Sequence, residues 1–319
     1  MQCCNFVPFV VKFPSVMKMS KQLKGSLSII LATIIWGSTF VAQKIGGTAL
    51  GPFNFLSIRC FLAVIVLLIV LVLLRKKEFI KIIADPKLWK AGIPCGVALF
   101  AATALQQFGL ISGTTPGKSG FITTTYIILV PIFSLFLKQK PPKTIGISVA
   151  VAAVGLYLIS GASFTEIAIG DILTMGCAVA FAVQILITDR VAEDLDSMAL
   201  NMSQALVCGI CAGICALFFE EQNIGKFLEY WLPLCWAGVL SMGIAYTLQI
   251  VGQKSIEPTT ASLLMSFEAV FAAIAGIVAN AIGWLDSAPF TWTEGIGCAL
   301  VFAAIMLTQI PVKNIKKAP

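Results

Sequence analysis

Histidine is absent from the 319 residues of this chain, and charged side chains make up only 12% of it. Without imidazoles the chain has no histidine triad, no histidine metal ligand and no histidine proton relay. No paired carboxylates, and no nucleophile beside a base, stand out among the 15 acidic residues. The sequence therefore predicts that the protein is not an enzyme and has no catalytic residue and no cofactor.

Ten cysteines are present, but their spacing does not suit metal binding or a disulfide framework. Cys208, Cys211 and Cys215 follow one another in an apolar segment, with no histidine in the chain to complete a ligand set. We expect these thiols to be small packing side chains, and we predict no metal site.

Apolar residues account for 58% of the chain, and its mean hydropathy of +0.95 is far above that of soluble domains. A helix that rises about 1.5 Å per residue needs about 20 apolar residues to cross roughly 30 Å of hydrocarbon. The lipid bilayer is therefore the expected surrounding. Ten predicted spans lie near residues 25–47, 50–74, 91–112, 116–137, 143–160, 170–190, 197–219, 231–253, 258–282 and 292–311.

The ten predicted spans form two sets of five, and the second set repeats the layout of the first. A Leu-Gln-x-x-Gly motif at 105–109 in span three returns at 248–252 in span eight, and the register places Trp36 on Phe181. An odd number of spans per repeat inserts the second copy upside down. We therefore predict an all-α integral membrane fold of ten transmembrane helices in two inverted five-helix repeats. The repeats are expected at residues 20–160 and 170–312.

The net charge of +7 is distributed as the positive-inside rule requires, so we expect no nucleic acid partner. With the N-terminus in the cytoplasm, the loop at 75–90 places six basic residues there, and the outer loops contain only Lys118 and Lys226. Both termini, including the basic tail at 313–319, are predicted to be cytoplasmic in a protein of the plasma membrane. The sequence carries no signal for an oligomeric state.

Residues 1–19 form an N-terminal extension whose first sixteen residues are apolar but too short to cross a bilayer. One interpretation is a mis-assigned start, since Met17 and Met19 open an ordinary basic N-terminus. The other is an interfacial anchor that is acylated at Cys3 or Cys4.

Four charged side chains stand out within the predicted spans, where each needs a partner or a wet cavity. One of them, Asp171, lies at the start of span six and is expected to be a helix cap. Lys44 lies near the outer end of span one and either extends to the interface or contacts substrate. Arg59 lies deeper, in span two, and either locks that helix structurally or binds a ligand. Glu268 lies near the middle of span nine, where it is a salt-bridge anchor, a proton-coupling site or a partner for a substrate amine.

Uncharged polar side chains within the spans suit a cavity for a small polar molecule, although any one glutamine could instead form an interhelical hydrogen bond. In span one, Trp36 and Gln43 share a broad sector of the helix with Lys44, because helical neighbours recur every three to four residues. Pro131 lies inside span four and is predicted to be a kink or hinge. The other cavity candidates are Gln106, Gln107, Tyr126, Gln184, Tyr246 and Gln249.

Five short motifs follow one another along the chain: Trp-Gly-Ser-Thr-Phe at 36–40, Arg-Cys-Phe-Leu-Ala at 59–63, Pro-Ile-Phe at 131–133, Gly146 with Gly155, and Ser-Phe-Glu-Ala-Val-Phe at 266–271. In this order they resemble EamA-type members of the drug/metabolite transporter superfamily, over residues 20–312. One difference is the end of span four, where the family often has Leu-Gly-Glu and this chain has Leu-Lys-Gln at 137–139.

The resemblance implies a central cavity lined by spans one, three, four, six, eight and nine. It also implies the movement of small metabolites, often the export of amino acids, by alternating access. A cavity on these spans favours a structural or electrostatic role for Arg59 and Lys44. The implied cavity residues are Trp36, Gln43, Gln106, Gln107, Tyr126, Gln184, Tyr246, Gln249 and Glu268.

The sequence favours a secondary transporter, an exporter of a small polar or amphipathic metabolite, with Glu268 in charge recognition or proton coupling. Protons are a candidate coupling partner. An uncoupled channel or uniporter is the alternative, followed by a membrane partner protein that transports nothing.

Overall fold

A computed structural model describes residues 20–138, 145–159, 168–284 and 291–309. The predicted N-terminal extension and the tail at 313–319 lie outside the described residues. Two helical segments are not α-helical: a 3-10 helix at Lys76–Glu78 and a π-helix at Trp236–Ala245. The α-helices are α1 (Lys21–Leu50), α2 (Pro52–Arg75), α3 (Phe79–Ala84), α4 (Pro86–Ile111), α5 (Pro116–Thr124), α6 (Tyr126–Phe136), α7 (Ile145–Ile159), α8 (Ile169–Val191), α9 (Ser197–Phe219), α10 (Ile224–Glu229), α11 (Trp231–Cys235), α12 (Tyr246–Gln253), α13 (Pro258–Met265), α14 (Phe267–Ala281) and α15 (Trp292–Gln309).

Within these ranges every regular element is a helix, and eight segments are long and apolar enough to cross a membrane. Several of the eight join consecutive helices, such as α5 with α6 and α13 with α14. Two further apolar helices, α7 and α15, are shorter in their apolar part. They pack against each other, with the Gly155 backbone against α15.

The contacts between helices occur in matching pairs: when one helix of the first half packs on a helix of the second, their counterparts in the other half also pack together. Helix α1 packs on α12 and α14, while its counterpart α8 packs on α4 and on α5 and α6. The pairs α2 with α9 and α7 with α15 each join a helix to its own counterpart, and the segment of α5 and α6 meets its counterpart, the segment of α13 and α14, through α6 with α13 and α5 with α14. This arrangement is that of two related units.

One face of the bundle contains the start of α1, and we call it the N-terminal face; the end of α1 marks the opposite face. Helices α4 and α9 also begin at the N-terminal face. The predicted connection at 75–90 is shorter than expected there, because α3 fills part of it and α4 begins at Pro86. The Asp85 carboxylate accepts a hydrogen bond from the Lys87 backbone N–H at 2.9 Å, which caps the helix early.

Two membrane-crossing segments are interrupted at one residue, where α5 passes into α6 at Thr125 and α13 into α14 at Ser266. In both cases the side-chain hydroxyl donates to the carbonyl three residues earlier, at 2.6 Å. Such bonds compete with the regular helical pattern. The interruption therefore differs from the predicted kink: Pro131 lies within α6, beyond the break, and its role as a hinge stays a prediction.

The π-helix between α11 and α12 is held from the side by Asn201 of α9. The buried amide of Asn201 donates to the carbonyls of Met242 and Gly243 at 2.9 and 2.8 Å, and to the Thr247 hydroxyl at 2.9 Å. Widened turns leave carbonyls without an ordinary helical donor. Asn201 satisfies two of them, which explains a fully buried asparagine in an apolar helix.

Alanine at Gly37 is expected to destabilise the packing of α1 on α14. A Cβ at Gly37 would lie 2.4 Å from the Phe271 Cβ and 2.7 Å from the Ala272 backbone nitrogen, so helices must separate. Overpacking of this kind costs about 1–3 kcal/mol. We expect the melting temperature of purified Gly37→Ala protein to fall by several degrees.

The matched control for that experiment is Gly117→Ala, because no atom lies within 4 Å of a Cβ built at Gly117. Its melting temperature should stay at the wild-type value. Equal melting temperatures for the two variants would show that the close approach at Gly37 is not a packing constraint.

Candidate functional site

An enclosed cavity lies in the middle of the bundle, between the two halves of the chain. Residues of α1, α2, α4 and α6 form one part of its wall, and residues of α8, the π-helix, α12, α13 and α14 form the other. The lining residues are Trp36, Gln43, Arg59, Gln106, Tyr126, Phe181, Ile185, Ser241, Tyr246, Gln249, Met265 and Glu268.

The cavity is narrow, with a volume of about 30 Å³. One water molecule needs about 10–15 Å³ on the same measure, so the space suits two or three atoms of that size. A metabolite of more than a few heavy atoms can enter only when the surrounding helices move apart. The structure is therefore a closed state around the cavity.

Aromatic rings form one side of the cavity. The rings of Trp36 and Tyr246 meet edge to face, with centroids 4.9 Å apart and an interplanar angle of 61°. Tyr126 and Phe181 complete this apolar surface. Because such rings also expose polar atoms at their edges, the wall suits a ligand that is partly apolar and partly polar.

Arg59 extends from α2 into the cavity wall and is only 2% exposed. One terminal nitrogen donates to the Gln43 Oε1 at 2.9 Å, and the guanidinium carbon lies 5.7 Å from the centroid of the Phe55 ring. Among the described residues no atom accepts a hydrogen bond from Nε. The structure thus gives Arg59 a place in the cavity as well as a contact that orients Gln43.

Glu268 lies on the other half of the chain, in the first turn of α14, and is 8% exposed. The Tyr126 hydroxyl donates to its Oε2 at 3.5 Å, the outer limit for a hydrogen bond. The helix break at Ser266 places the carboxylate beside the positive end of the α14 dipole. In the described part of the chain, no lysine or arginine forms an ion pair with it.

Seven of the nine predicted cavity residues line this one cavity, and two glutamines do not. Neighbouring residues on a helix point about 100° apart, so Gln106 and Gln107 cannot both face it. Gln106 lines the cavity, whereas Gln107 donates to the Gln43 carbonyl at 2.8 Å. Gln184 joins α8 to α9 and α12, donating to the Gln204 Oε1 and accepting from Gln249, both at 3.3 Å.

Five cavity residues were not predicted as such: Arg59, for which the sequence favours a structural role, and Phe181, Ile185, Ser241 and Met265. The repeat contained a signal for one of them, since Phe181 corresponds to Trp36 in the other half. Nothing in the sequence distinguishes Ile185 or Met265 from the many apolar residues that pack between helices.

The barrier between the cavity and the N-terminal face is about one helical turn thick. A vestibule of about 580 Å³ at that face is lined by Asp189 of α8 and Gln253 of α12, among others. Each follows a cavity residue, Ile185 or Gln249, by four positions, which is about 6 Å along a helix. The Gln253 amide donates to the Ile185 carbonyl at 3.0 Å and bridges the barrier.

The barrier toward the opposite face is thicker and contains an ion pair. Lys118 of α5 and Asp171 of α8 approach to 2.7 Å, and Asp171 also accepts from the Thr114 hydroxyl and the Ala168 backbone N–H, each at 3.0 Å. Lys118 precedes the cavity residue Tyr126 by eight positions, about 12 Å along a helix. Polar contacts therefore fasten α5 to α8 well away from the cavity.

Two further contacts close the opposite face at α1 and α2. The Glu220 carboxylate at the end of α9 accepts from the backbone N–H groups of Phe53 and Asn54, at 2.8 and 2.7 Å. It thereby caps the N-terminus of α2 with an anion. The Lys44 ammonium donates to the Leu110 carbonyl at 2.5 Å, which ties α1 to α4. Lys44 does not line the central cavity.

The EamA-like transporter family matches the chain twice, over residues 23–161 and 168–310. The two matches correspond to the two units that the helix contacts relate. Together they include nearly all of the described residues.

Related chains are transporters by name. A protein named "Uncharacterized transporter" from Archaeoglobus fulgidus is 29% identical over 92% of this chain and 88% of its own length. "Uncharacterized transporter YetK" of Bacillus subtilis is 25% identical over 97% of this chain and 94% of its own. A crystal structure described as "Crystal structure of protein" shares the fold, with a TM-score of 0.69, 20% identity, and coverage of 89% and 96% of the two chains.

Proposed function

The chain belongs to the EamA-like transporter family, and we propose that it is a secondary transporter that exports a small polar or amphipathic metabolite, such as an amino acid. It is a membrane transporter with multiple apolar helices. We further propose ten transmembrane helices in two inverted repeats, with α7 and α15 as the fifth helix of each. The exchange symmetry of the helix contacts supports this arrangement.

The observation that carries the proposal is the cavity between the halves, with one barrier on each side. A channel needs a continuous path, whereas a transporter needs a site that two barriers enclose. The lining combines aromatic rings, amide groups, a guanidinium and a carboxylate, which suits a small ligand with apolar and polar parts.

The two barriers support alternating access, because they depend on different contacts of α8. Separation of α8 from α12, with loss of the Gln253–Ile185 and Gln249–Gln184 hydrogen bonds, would join the cavity to the vestibule. Separation of α5 from α8 would open the opposite face at the expense of the Lys118–Asp171 ion pair. Helix α8 takes part in both barriers, so a movement of α8 that opens one barrier can close the other.

We assign the N-terminal face to the cytoplasm, because lysines and arginines are concentrated in the connections there. Both termini would then be cytoplasmic, in the plasma membrane. Substrate would enter from the vestibule at that face and leave past Lys118 and Asp171. Glu268 is the proposed group for charge recognition or proton coupling.

Transport by the purified protein in proteoliposomes tests this function. Amino acids, nucleosides, sugars and organic acids are first screened for a thermal shift of the purified protein, and the compounds that bind are offered as labelled substrates. We expect a proton gradient to drive accumulation of at least one of them above its external concentration.

The alternative functions predict other results in the same assay. Equilibration without uphill accumulation would identify a uniporter or channel. If no compound moved while the folded protein bound another membrane protein tightly, the transporter assignment would be wrong.

A further inference from the structure

We propose that Arg59 binds the carboxylate group of a zwitterionic substrate whose ammonium group faces Glu268. The inference rests on the proposed transport function and adds the residue that recognises the carboxylate end of the substrate. It assigns to Arg59 a role in binding, in contrast to the structural role that the sequence favours.

The first argument is the unpaired charge of Arg59. The guanidinium is nearly fully buried, and the ion pairs among the described residues are Arg75 with Asp196 and Lys118 with Asp171. A guanidinium has five N–H donors, yet the described contacts satisfy one terminal nitrogen through Gln43 and leave Nε without an acceptor. A buried cation in this state needs an anion.

The second argument is the comparison with the other half of the chain, where Gln204 corresponds to Arg59. Gln204 is fully buried, and its amide donates to the Asn201 Oδ1 at 3.0 Å while its Oε1 accepts from Gln184. A neutral side chain thus meets the packing needs of this position through protein contacts alone. A purely structural role therefore does not require the positive charge of Arg59.

The third argument is the position of the two opposite charges in one cavity. Arg59 and Glu268 come from different halves, line the same space and do not pair with each other in the described structure. A ligand with one carboxylate and one ammonium group would compensate both charges and leave the net charge of the cavity unchanged. The Trp36 and Tyr246 rings would contact an apolar side chain of such a ligand.

The geometry of arginine suits this role. Its planar fork binds a carboxylate through two parallel N–H bonds, which a lysine ammonium cannot reproduce. The contact with the Gln43 Oε1 fixes one terminal nitrogen of the guanidinium. The guanidinium is thereby oriented before the ligand arrives.

Binding to the purified protein in detergent tests the inference. The probes are the amino acid that gives the largest thermal shift of the wild-type protein, the amine that lacks its carboxylate, and the acid that lacks its amino group. Isothermal titration gives the Kd of each. We expect the wild-type protein to bind the amino acid about tenfold or more tightly than either analogue, because each analogue leaves one charge unpaired.

Arg59→Gln separates binding from structure. We expect it to weaken binding of the amino acid by about tenfold or more and to leave the Kd of the decarboxylated amine unchanged. Arg59→Lys should recover part of the affinity, because it restores the charge but not the fork. The control is Arg190→Gln, which removes an exposed arginine at the end of α8 and should leave all three Kd values unchanged.

Each remaining outcome is decisive. If Arg59→Gln weakens the binding of the amino acid and the binding of the amine equally, Arg59 is structural and the inference fails. If Arg59→Gln does not fold, two other measurements still decide the result: the Kd ratio of the amino acid to its analogues in the wild-type protein, and the Kd of the amino acid in Arg59→Lys. Wild-type binding and transport of a nucleoside, a sugar or a simple acid in place of amino acids would overturn the inference and leave the transport function intact. No transport of any compound would overturn both.

Discussion

Glu268→Gln is expected to abolish uphill transport. Glutamine retains the shape and hydrogen-bonding capacity of the side chain but can neither release a proton nor carry the negative charge. Whether Glu268 binds a proton or a substrate cation, the link between gradient and substrate is lost. Coupling free energies of about 1–3 kcal/mol correspond to factors of about 5–150, so we expect uphill accumulation in proteoliposomes to fall by about tenfold or more.

Two further variants make the Glu268 experiment specific. Glu268→Asp keeps the carboxylate on a shorter side chain and should retain dependence on the pH gradient at a lower rate. Glu257→Gln removes an exposed carboxylate at the vestibule and should transport at the wild-type rate. An unchanged rate and an unchanged dependence on the pH gradient in Glu268→Gln would show that Glu268 has neither role.

The paired halves of the fold and much of the cavity lining could be predicted from the sequence. Polar side chains in lipid-spanning helices are costly unless they share a cavity or pair with one another. This rule alone selects Gln43, Gln249 and Glu268, and the structure places all three around one cavity. The repeat adds the correspondence between Trp36 and Phe181.

Other features depend on helix phase and on contacts between distant residues, which composition does not encode. Gln106 and Gln107 are equivalent in polarity, yet only Gln106 faces the cavity. The break at Thr125 depends on a local hydrogen bond from the Thr125 hydroxyl to a backbone carbonyl. The sequence instead predicted a kink at Pro131, because proline interrupts the hydrogen bonds of a helix. The partner of Asp171 lies 53 residues away and in another helix, so a helix cap alone was predicted.

The Lys118–Asp171 ion pair at the opposite face has no charged counterpart at the positions that the repeat relates to it. The repeat register that aligns Trp36 with Phe181 places Ser26 at the position of Asp171, and the register of the two Leu-Gln-x-x-Gly motifs places Ala261 at that of Lys118. The Ser26 hydroxyl has no hydrogen-bond partner in the part of the chain that the structure describes. Opening toward the N-terminal face therefore breaks no corresponding charge pair, which biases the resting protein toward closure of the opposite face.

Asp171→Asn is expected to shift this bias toward opening of the opposite face. Hydrogen bonds to charged groups contribute about 1.5–3 kcal/mol, and each 1.4 kcal/mol changes an equilibrium by about tenfold. Cys177 reports the opening, because it is fully buried on α8 beyond Asp171, with its Sγ 3.9 Å from the Thr123 hydroxyl of α5. We expect N-ethylmaleimide to label Cys177 about tenfold faster in the variant, as measured by mass spectrometry of the peptide.

Two controls distinguish opening of one face from general loosening of the bundle. Cys95 is also fully buried, but it contacts Thr188 near the N-terminal face, so Asp171→Asn should leave its labelling rate unchanged. Asp196→Asn breaks the ion pair with Arg75 at the N-terminal face and should not accelerate labelling of Cys177. A faster labelling rate at both Cys95 and Cys177 in Asp171→Asn would indicate a general loss of packing. An unchanged labelling rate at Cys177 would mean that the Lys118–Asp171 pair does not hold the opposite face closed.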